Sequence, residues 1–252
     1  YTILLSECKC EAYAYGHQYC DFSDGTLVCL TPGESISMKE NNKEFPSKGW
    51  ILAFHPDLIC GTPLGLNIHN YTFFSYCPEE ALHLSLREKQ IILEFLERIR
   101  QELERCIDRH SKKIISKYIE LLLDYCTRFY ERQFITRSEV NKKVFREFNH
   151  LLDNHFNVKV SLSTDVLSDE YCANLLHLSP AYFNDLLKYE IGKEFKEYIQ
   201  FKRFEIAKGW LVNTDKTLGQ IAQELGFSNS QYFSRLFKKI TGCSPNEFRM
   251  PN

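Results

Sequence analysis

Five cationic side chains near the C-terminus are spaced so that they can bind phosphate groups. Arg235, Lys238 and Lys239 lie close together, and Lys188 and Lys193 form a similar pair about fifty residues earlier. Lysine and arginine contact the phosphate groups of nucleic acids and thereby position a protein on them. Because each contact releases counterions, binding of this kind weakens steeply as salt rises. The spacing therefore indicates phosphate binding by two separate segments.

The segment that carries the larger group, residues 217–249, has the pattern of two short helices. Thr217 and Gln220 have capping-box spacing, an apolar stripe follows, and Gly226 lies where the first helix must end. Ser228 or Asn229 can cap the second helix. That helix has an apolar side (Tyr232, Phe233, Leu236 and Phe237) and leaves Ser230, Gln231, Ser234, Arg235 and Lys238 outside. The pattern is typical of a helix-turn-helix, whose second helix enters a DNA groove, but an ordinary packed helical hairpin explains the periodicity equally well.

An upstream segment, residues 168–187, repeats this pattern. Ser179 is placed as an N-cap and Pro180 occupies the first helical position, where its missing N–H costs nothing. The apolar residues Tyr182, Phe183, Leu186 and Leu187 fall where Tyr232, Phe233, Leu236 and Phe237 fall. Because repetition at about fifty residues is hard to explain by chance, it favours two helix-turn-helix units.

The residues between the two units, 194–213, have helical periodicity. A helix of roughly twenty residues spans about 30 Å. Successive major-groove faces on one side of B-DNA are roughly 34 Å apart. One chain would therefore be able to contact two adjacent groove segments.

The C-terminal hundred residues carry a specific family pattern. It runs A-x-x-L-x-L-S-P-x-Y-F, then F-K-R-x-x-x-A-K, then I-A-x-x-L-G-F-x-x-x-x-Y-F-S-R-x-F-K-K-x-x-G-x-S-P-x-E-F-R. This pattern resembles the AraC/XylS family of bacterial transcription regulators. The resemblance implies a seven-helix DNA-binding domain with two helix-turn-helix units.

The resemblance also places particular side chains against the bases or phosphates. They are Ala181, Asn184, Asp185 and Lys188 in the first unit and Ser230, Gln231, Ser234, Arg235, Lys238 and Lys239 in the second. Arg235 would pair with guanine, and Gln231 or Asn184 with adenine. Asp185 departs from the family, whose members often have a basic or neutral residue there. It either accepts a hydrogen bond from cytosine or marks a first unit that contacts DNA weakly, and we favour weak contact.

Residues 1–85 have β-type patterns. Short β-prone runs at 27–30, 50–54 and 71–74 are separated by turn signals such as Asp24-Gly25, His55-Pro56 and Thr62-Pro63. This pattern suits a small barrel or sandwich, and by resemblance a cupin-like barrel that lacks its first strands. The chain begins with Tyr1, so we expect an incomplete N-terminus. The histidines His17, His55, His69 and His83 do not supply the ligand set of cupin metalloenzymes, so the barrel is expected to be a sensor or scaffold without metal or cofactor.

Residues 86–134 have the apolar stripes of two helices, broken near Arg109-His110-Ser111. The pair either covers the barrel or, as the resemblance implies, forms the contact of a homodimer. Residues 133–142 form the most linker-like segment, and 143–156 is predicted to be the first helix of a DNA-binding domain at 143–252. The predicted fold class is therefore α+β, with a partial cupin-like β-barrel, a helical pair and an all-α domain containing two helix-turn-helix units.

Composition restricts the function classes. The chain has 252 residues and a formal net charge of −2. Twelve basic and twelve acidic residues from position 151 onward leave the C-terminal domain without the overall positive charge typical of DNA-binding domains. No apolar run approaches the length of a membrane span, so we expect a cytoplasmic protein. The ten cysteines have no Cys-x-x-Cys spacing, and we expect most of them to be buried thiols.

These observations predict a sequence-specific DNA-binding transcription regulator. By resemblance it would be an activator that binds promoter DNA and a small-molecule effector, sugar-like or unknown, with RNA polymerase as a further partner. An enzyme that repairs alkylated DNA would need a Pro-Cys-His-Arg motif, which the sequence lacks. A helical interaction module that carries a β-barrel and does not bind DNA is the remaining alternative.

Overall fold

The computed structural model of the chain describes residues 1–6, 24–34, 49–157 and 167–250. The chain folds into two compact units. The first consists of Tyr1–Asn141 together with Leu178–Tyr182, and the second of Lys142–His177 together with Phe183–Asn252. The first is mixed α and β, and the second is helical in its described part.

The first unit contains a four-stranded antiparallel sheet in the order β3-β1-β2-β4. The strands are β1 (Thr2–Ser6), β2 (Gly25–Leu30), β3 (Gly49–Ala53) and β4 (Leu82–Leu84). Alternate residues of β1 and β2 are buried, so one face of these strands lies in the core. The strands predicted at 27–30 and 50–54 are confirmed, whereas the interior strand β1 was not predicted. The predicted barrel would also need residues 7–23 and 35–48, which lie outside the described residues.

The strand predicted at 71–74 is wrong, because Thr72–Ser75 form a single turn of 3₁₀ helix. Phe73 and Phe74 are both buried. Consecutive strand residues point to opposite faces of a sheet, so a half-buried strand could not bury both rings. The turn places the Phe73 ring 5.3 Å from that of Tyr130 and the Phe74 ring 5.1 Å from that of Tyr1.

Two of the predicted turns begin short helices instead. Pro56 opens α1 (Pro56–Ile59) and Pro63 opens α2 (Pro63–Asn67). His55 and Thr62 cap them through side-chain atoms that accept hydrogen bonds from backbone N–H groups. Proline at the first helical position loses no hydrogen bond, which is why the same dipeptide suits a turn or a helix start.

The predicted helical pair is present as α3 (Leu86–Leu103) and α4 (Ser111–Thr136). The rings of Phe95 and Tyr125 lie 5.4 Å apart where the two helices pack together. The buried side chain of Gln133 joins α4 to β4: His83 N donates to its Oε1 over 2.8 Å, and its Nε2 donates to Ala81 O over 3.2 Å. The pair therefore covers this end of the sheet.

Residues 133–142 differ from the predicted linker because they are helical apart from Arg137. They contain the end of α4 and the start of α5 (Ser138–Asn157), and Asn141 Nδ2 donates to Phe134 O over 2.9 Å across the break. The remaining helices are α6 (Asp169–Leu175), α7 (Pro180–Ile191), α8 (Phe195–Asn213), α9 (Leu218–Glu224), α10 (Ser230–Thr241) and α11 (Pro245–Arg249). The first residues of α7, Pro180 to Tyr182, belong to the first unit.

All seven cysteines in the described ranges carry free thiols. The expectation that most cysteines are buried is wrong for this part of the chain, because Cys60, Cys77 and Cys106 are exposed and only Cys29, Cys126 and Cys172 are buried. Within the described ranges, no helix is long and apolar enough to cross a bilayer. The same ranges contain no group of three or more His, Cys, Asp or Glu side chains placed to hold a metal ion.

Candidate nucleic-acid interface

The turn between α9 and α10 is fixed by local interactions. Thr217 N donates to Gln220 Oε1 over 2.8 Å, and Gln220 N donates to Thr217 Oγ1 over 3.3 Å, which confirms the predicted capping box. Gly226 has a φ of 73°, in the left-handed region that favours glycine. Phe227 N then donates to Ala222 O over 2.8 Å. The chain therefore turns within the five residues 225–229, and α10 begins at Ser230.

The helix α10 is held by a cap at its start and an aromatic core behind it. Asn229 Oδ1 accepts from Tyr232 N over 2.7 Å, so Asn229 rather than Ser228 is the N-cap. Phe233 and Phe237 are fully buried. The ring of Phe233 lies 5.2 Å from that of Phe227 and 6.3 Å from that of Phe204. Because this side of α10 is buried, its orientation is fixed and its other side faces solvent.

The solvent-facing side of α10 carries the predicted contact residues of the second helix-turn-helix. Gln231, Arg235, Lys238 and Lys239 are exposed. Gln231, Arg235 and Lys238 lie four and three residues apart, so they share one helix face. Ser230 and Ser234 are half-buried, and Ser234 Oγ donates to Ser230 O over 2.8 Å. The structure thus brings together three cations and one amide on a single surface.

Tyr232 is an addition to this surface that the sequence interpretation assigned to the core. Its side chain is 40% exposed, and the Arg235 guanidinium lies 5.7 Å from its ring centre. A guanidinium held over an aromatic face is attracted to it and has less freedom to move. The sequence signal for this contact was that Tyr232 and Arg235 lie three positions apart on one predicted helix, where side chains are neighbours.

The predicted contact residues of α7 are less accessible. Ala181, Asn184 and Asp185 are half-buried, whereas Lys188 is exposed with its Nζ 4.0 Å from Glu194 Oε1. Asn184 Nδ2 donates to Asp169 Oδ2, the first residue of α6, over 2.9 Å. Part of the hydrogen-bonding capacity of Asn184 is therefore already used by a residue that the sequence did not identify.

Two glycines of the second compact unit, Gly242 and Gly209, allow a paired test of the backbone conformation at the C-terminal end of α10. Gly242 ends α10 with a φ of 84°, and a methyl group there would meet no atom within 4 Å. Alanine at Gly242 is therefore expected to cost about 1–2 kcal/mol through backbone strain alone. Gly209, inside α8, also has open space, but alanine there is expected to stabilise the unit by about 0.5–1 kcal/mol.

Urea unfolding of the full chain, followed by tryptophan fluorescence, would measure both changes. The chain has two tryptophans, Trp50 and Trp210, so a Trp50→Phe background makes the signal specific to α8 in the second unit. Shifts of the same sign for Gly242→Ala and Gly209→Ala would contradict the left-handed helix end.

Comparison with known proteins identifies the domain. A family model described as a helix-turn-helix domain matches residues 172–250. The chain is 33% identical over 111 residues to the HTH-type transcriptional regulator YtdP of Bacillus subtilis, covering 44% of this chain and 14% of that protein. It is 24% identical over 225 residues to the HTH-type transcriptional regulator YijO of Escherichia coli, covering 89% of this chain and 76% of that protein.

A third relative, the arabinose operon regulatory protein of Salmonella typhimurium, is 32% identical over 101 residues, which is 40% of this chain and 32% of that protein. The chain thus spans less than two thirds of YtdP and of the arabinose regulator. The matched region of the family model contains α7 to α11 with the capped turn and the exposed face of α10. Over residues 172–250 the chain therefore carries the helix-turn-helix domain of the AraC/XylS family of transcriptional regulators.

Proposed function

We propose that the protein is a sequence-specific DNA-binding transcriptional regulator in which α10 provides the main contact with the bases. The observation that carries the proposal is the surface of α10. Arg235 is exposed, lies against the ring of Tyr232 and, within the described residues, forms no ion pair with a carboxylate. A guanidinium in this state is available for a bidentate contact with guanine O6 and N7.

The local positive charge of α10, and not the net charge of the domain, supports α10 as the main DNA contact. Lys238 and Lys239 are exposed beside Arg235, whereas residues 151–252 taken together are formally neutral. Phosphate contacts depend on the charges at the interface and not on the net charge of the protein. The local cluster therefore accounts for DNA binding although residues 151–252 carry no net charge.

The first unit has the proposed role of sensor and dimerisation domain. Its residues 1–85 would form a cupin-like barrel that binds a small-molecule effector, and 86–134 would supply the contact of a homodimer. The exposed apolar side chains on α3 and α4, Leu86, Leu103, Ile114 and Leu121, support an interface on this pair. Activation of transcription through contact with RNA polymerase completes the proposal.

The protein is proposed to have no catalytic activity of its own. The alkyl-accepting chemistry considered above requires a reactive thiolate. Burial, together with the charge of Asp169, raises the pKa of Cys172 to about 11. Burial likewise raises the pKa of Cys77, with Glu80 and Glu79 adding to the effect. Both shifts in pKa favour the protonated thiol over the reactive thiolate.

Selection of bound fragments from a random duplex DNA library, with the full chain, tests the proposed function. We expect enrichment of a strong element bound by α10, with a second and weaker element about one helical turn away for α7. Titration of the selected duplex with salt should give a steep linear fall of log K against log salt concentration. Absence of enrichment, repeated with candidate effectors, would instead support the interaction module.

A further inference from the structure

The starts of the two candidate recognition helices differ in exposure. At the start of α10, the N-cap Asn229 and Tyr232 are exposed. At the equivalent places of α7, Ser179 is 4% exposed and Tyr182 is 6% exposed. Leu178–Tyr182 belongs to the first unit, so the start of α7 is part of that unit's core. The two helices are consequently not equivalent, although their sequences repeat.

A buried carboxylate lies at this point in the first unit. Glu80 is 5% exposed and lies three positions after Cys77. The backbone N of Cys77 donates to Glu80 Oε2 over 2.8 Å. Ser179 N donates to Glu80 Oε1 over 2.7 Å, and Ser179 Oγ donates to Oε2 over 2.5 Å. Ser179 Oγ in turn accepts from Tyr182 N over 3.2 Å, as an N-cap does.

Aromatic packing holds the same segment. The Tyr182 ring lies 5.1 Å from that of Tyr76 and 5.2 Å from that of Phe134. Burial, with the charge of Glu79, raises the pKa of Glu80, and the hydrogen bonds from Ser179 and Cys77 offset only part of that rise. Three donors, Cys77 N, Ser179 N and Ser179 Oγ, point at the two carboxylate oxygens, and donors in this arrangement stabilise the ionised form.

The N-terminus of a helix attracts anions because its first N–H groups are unpaired and its dipole is positive there. DNA-binding helices use this position for a backbone phosphate. At the start of α7 the Glu80 carboxylate already accepts hydrogen bonds from the N–H and the hydroxyl of the N-cap Ser179, whereas the N-cap Asn229 of α10 is exposed.

On the basis of the proposed function, we infer that Glu80 takes the place of a DNA phosphate at the start of α7 and restrains the first helix-turn-helix unit from contacting DNA. A DNA phosphate must displace Glu80 before α7 can bind. The chain would accordingly bind DNA mainly through α10. Loss of the Glu80 charge would add the DNA contact made by α7.

The test compares two duplexes with the full-length chain. One carries both selected elements, and the other keeps the α10 element and replaces the α7 element with unrelated sequence. Glu80→Gln, which keeps the volume of the side chain, is expected to bind the two-element duplex about tenfold more tightly, since a charge-assisted hydrogen-bond pair no longer competes. Its plot of log K against log salt should steepen by about 0.9, the value for one added phosphate contact. Binding to the one-element duplex should not change.

Glu79→Gln is the matched control, because it removes the same charge from an exposed neighbour and should alter neither duplex. Ser179→Gly removes the hydroxyl donor but leaves an acceptable N-cap, so it should change binding in the same direction as Glu80→Gln. Thermal unfolding would verify that each variant is folded.

Equal affinities and salt slopes for the wild type, Glu80→Gln and Ser179→Gly on the two-element duplex would overturn the inference. The proposed function would survive that result as long as the one-element duplex binds and Arg235→Ala weakens it. Failure of the wild-type chain to bind either duplex would reject the proposed function itself.

Discussion

Phe233→Ala is expected to destabilise the second unit by about 3–5 kcal/mol, the range found when a fully buried aromatic side chain is truncated. Phe233 is fully buried, and its ring lies 5.2 Å from that of Phe227 and 5.6 Å from that of Phe237. Truncation leaves a cavity behind α10 that these rings can fill only in part. Because this loss is a large fraction of a domain's stability, DNA binding by α10 should fall with it.

The measurement is the urea midpoint of Trp210 fluorescence in the full chain with the Trp50→Phe background. Phe201→Ala is the matched control: it removes the same side chain from α8 of the same unit at a position that is 46% exposed. Its ring contacts that of Tyr198 at 6.3 Å, and its loss should cost no more than about 1 kcal/mol. Similar midpoints for the two variants would show that Phe233 does not organise the core behind α10.

The second helix-turn-helix unit was predictable because its determinants are local in sequence. The capping residues Thr217 and Gln220 are three positions apart, and Gly226 follows directly on the apolar stripe. These local sequence signals all indicate the same structure, a short helix that ends at a left-handed turn. The turn between α6 and α7 has a different solution, since His177 takes a φ of 56° where the turn between α9 and α10 has Gly226. Histidine is among the residues that tolerate this region, but no sequence rule requires it.

The missed features of the first unit depend on distant partners. The aromatic run at 71–74 has high β-propensity, yet packing of Phe73 against Tyr130 determined a helical turn. The strand β1 pairs with β2 and β3, which lie about 20 and 45 positions later in the chain. A five-residue sequence does not indicate such distant partners. Such outcomes are typical when tertiary contacts outweigh local preference.

The candidate site shows the same division. The exposed face of α10 follows from helical periodicity, so Gln231, Arg235 and Lys238 could be placed from sequence. Ser179 was identified as an N-cap, but its bond with Glu80 joins residues that are 99 positions apart. Sequence alone therefore gave two similar units, and only the fold shows that the start of one is buried.

Arg235→Ala is expected to weaken binding of the selected duplex by about 10- to 100-fold, because a bidentate arginine–guanine pair contributes about 1–3 kcal/mol of discrimination. Arg235→Lys is the sharper variant. It keeps the charge and most of the phosphate attraction but loses the planar fork, so the preference for one base pair should disappear while non-specific affinity remains.

Lys239→Ala provides the comparison from the same exposed helix, as a residue expected to contact phosphate. It should weaken binding to all sequences alike and reduce the salt slope by about 1, with the base preference unchanged. Competition assays with duplexes that differ at single positions would separate the two effects. If Arg235→Lys kept the wild-type base preference while Lys239→Ala lost it, the residue that selects the sequence would lie at the other end of α10, and the orientation of that helix in the groove would have to be reversed.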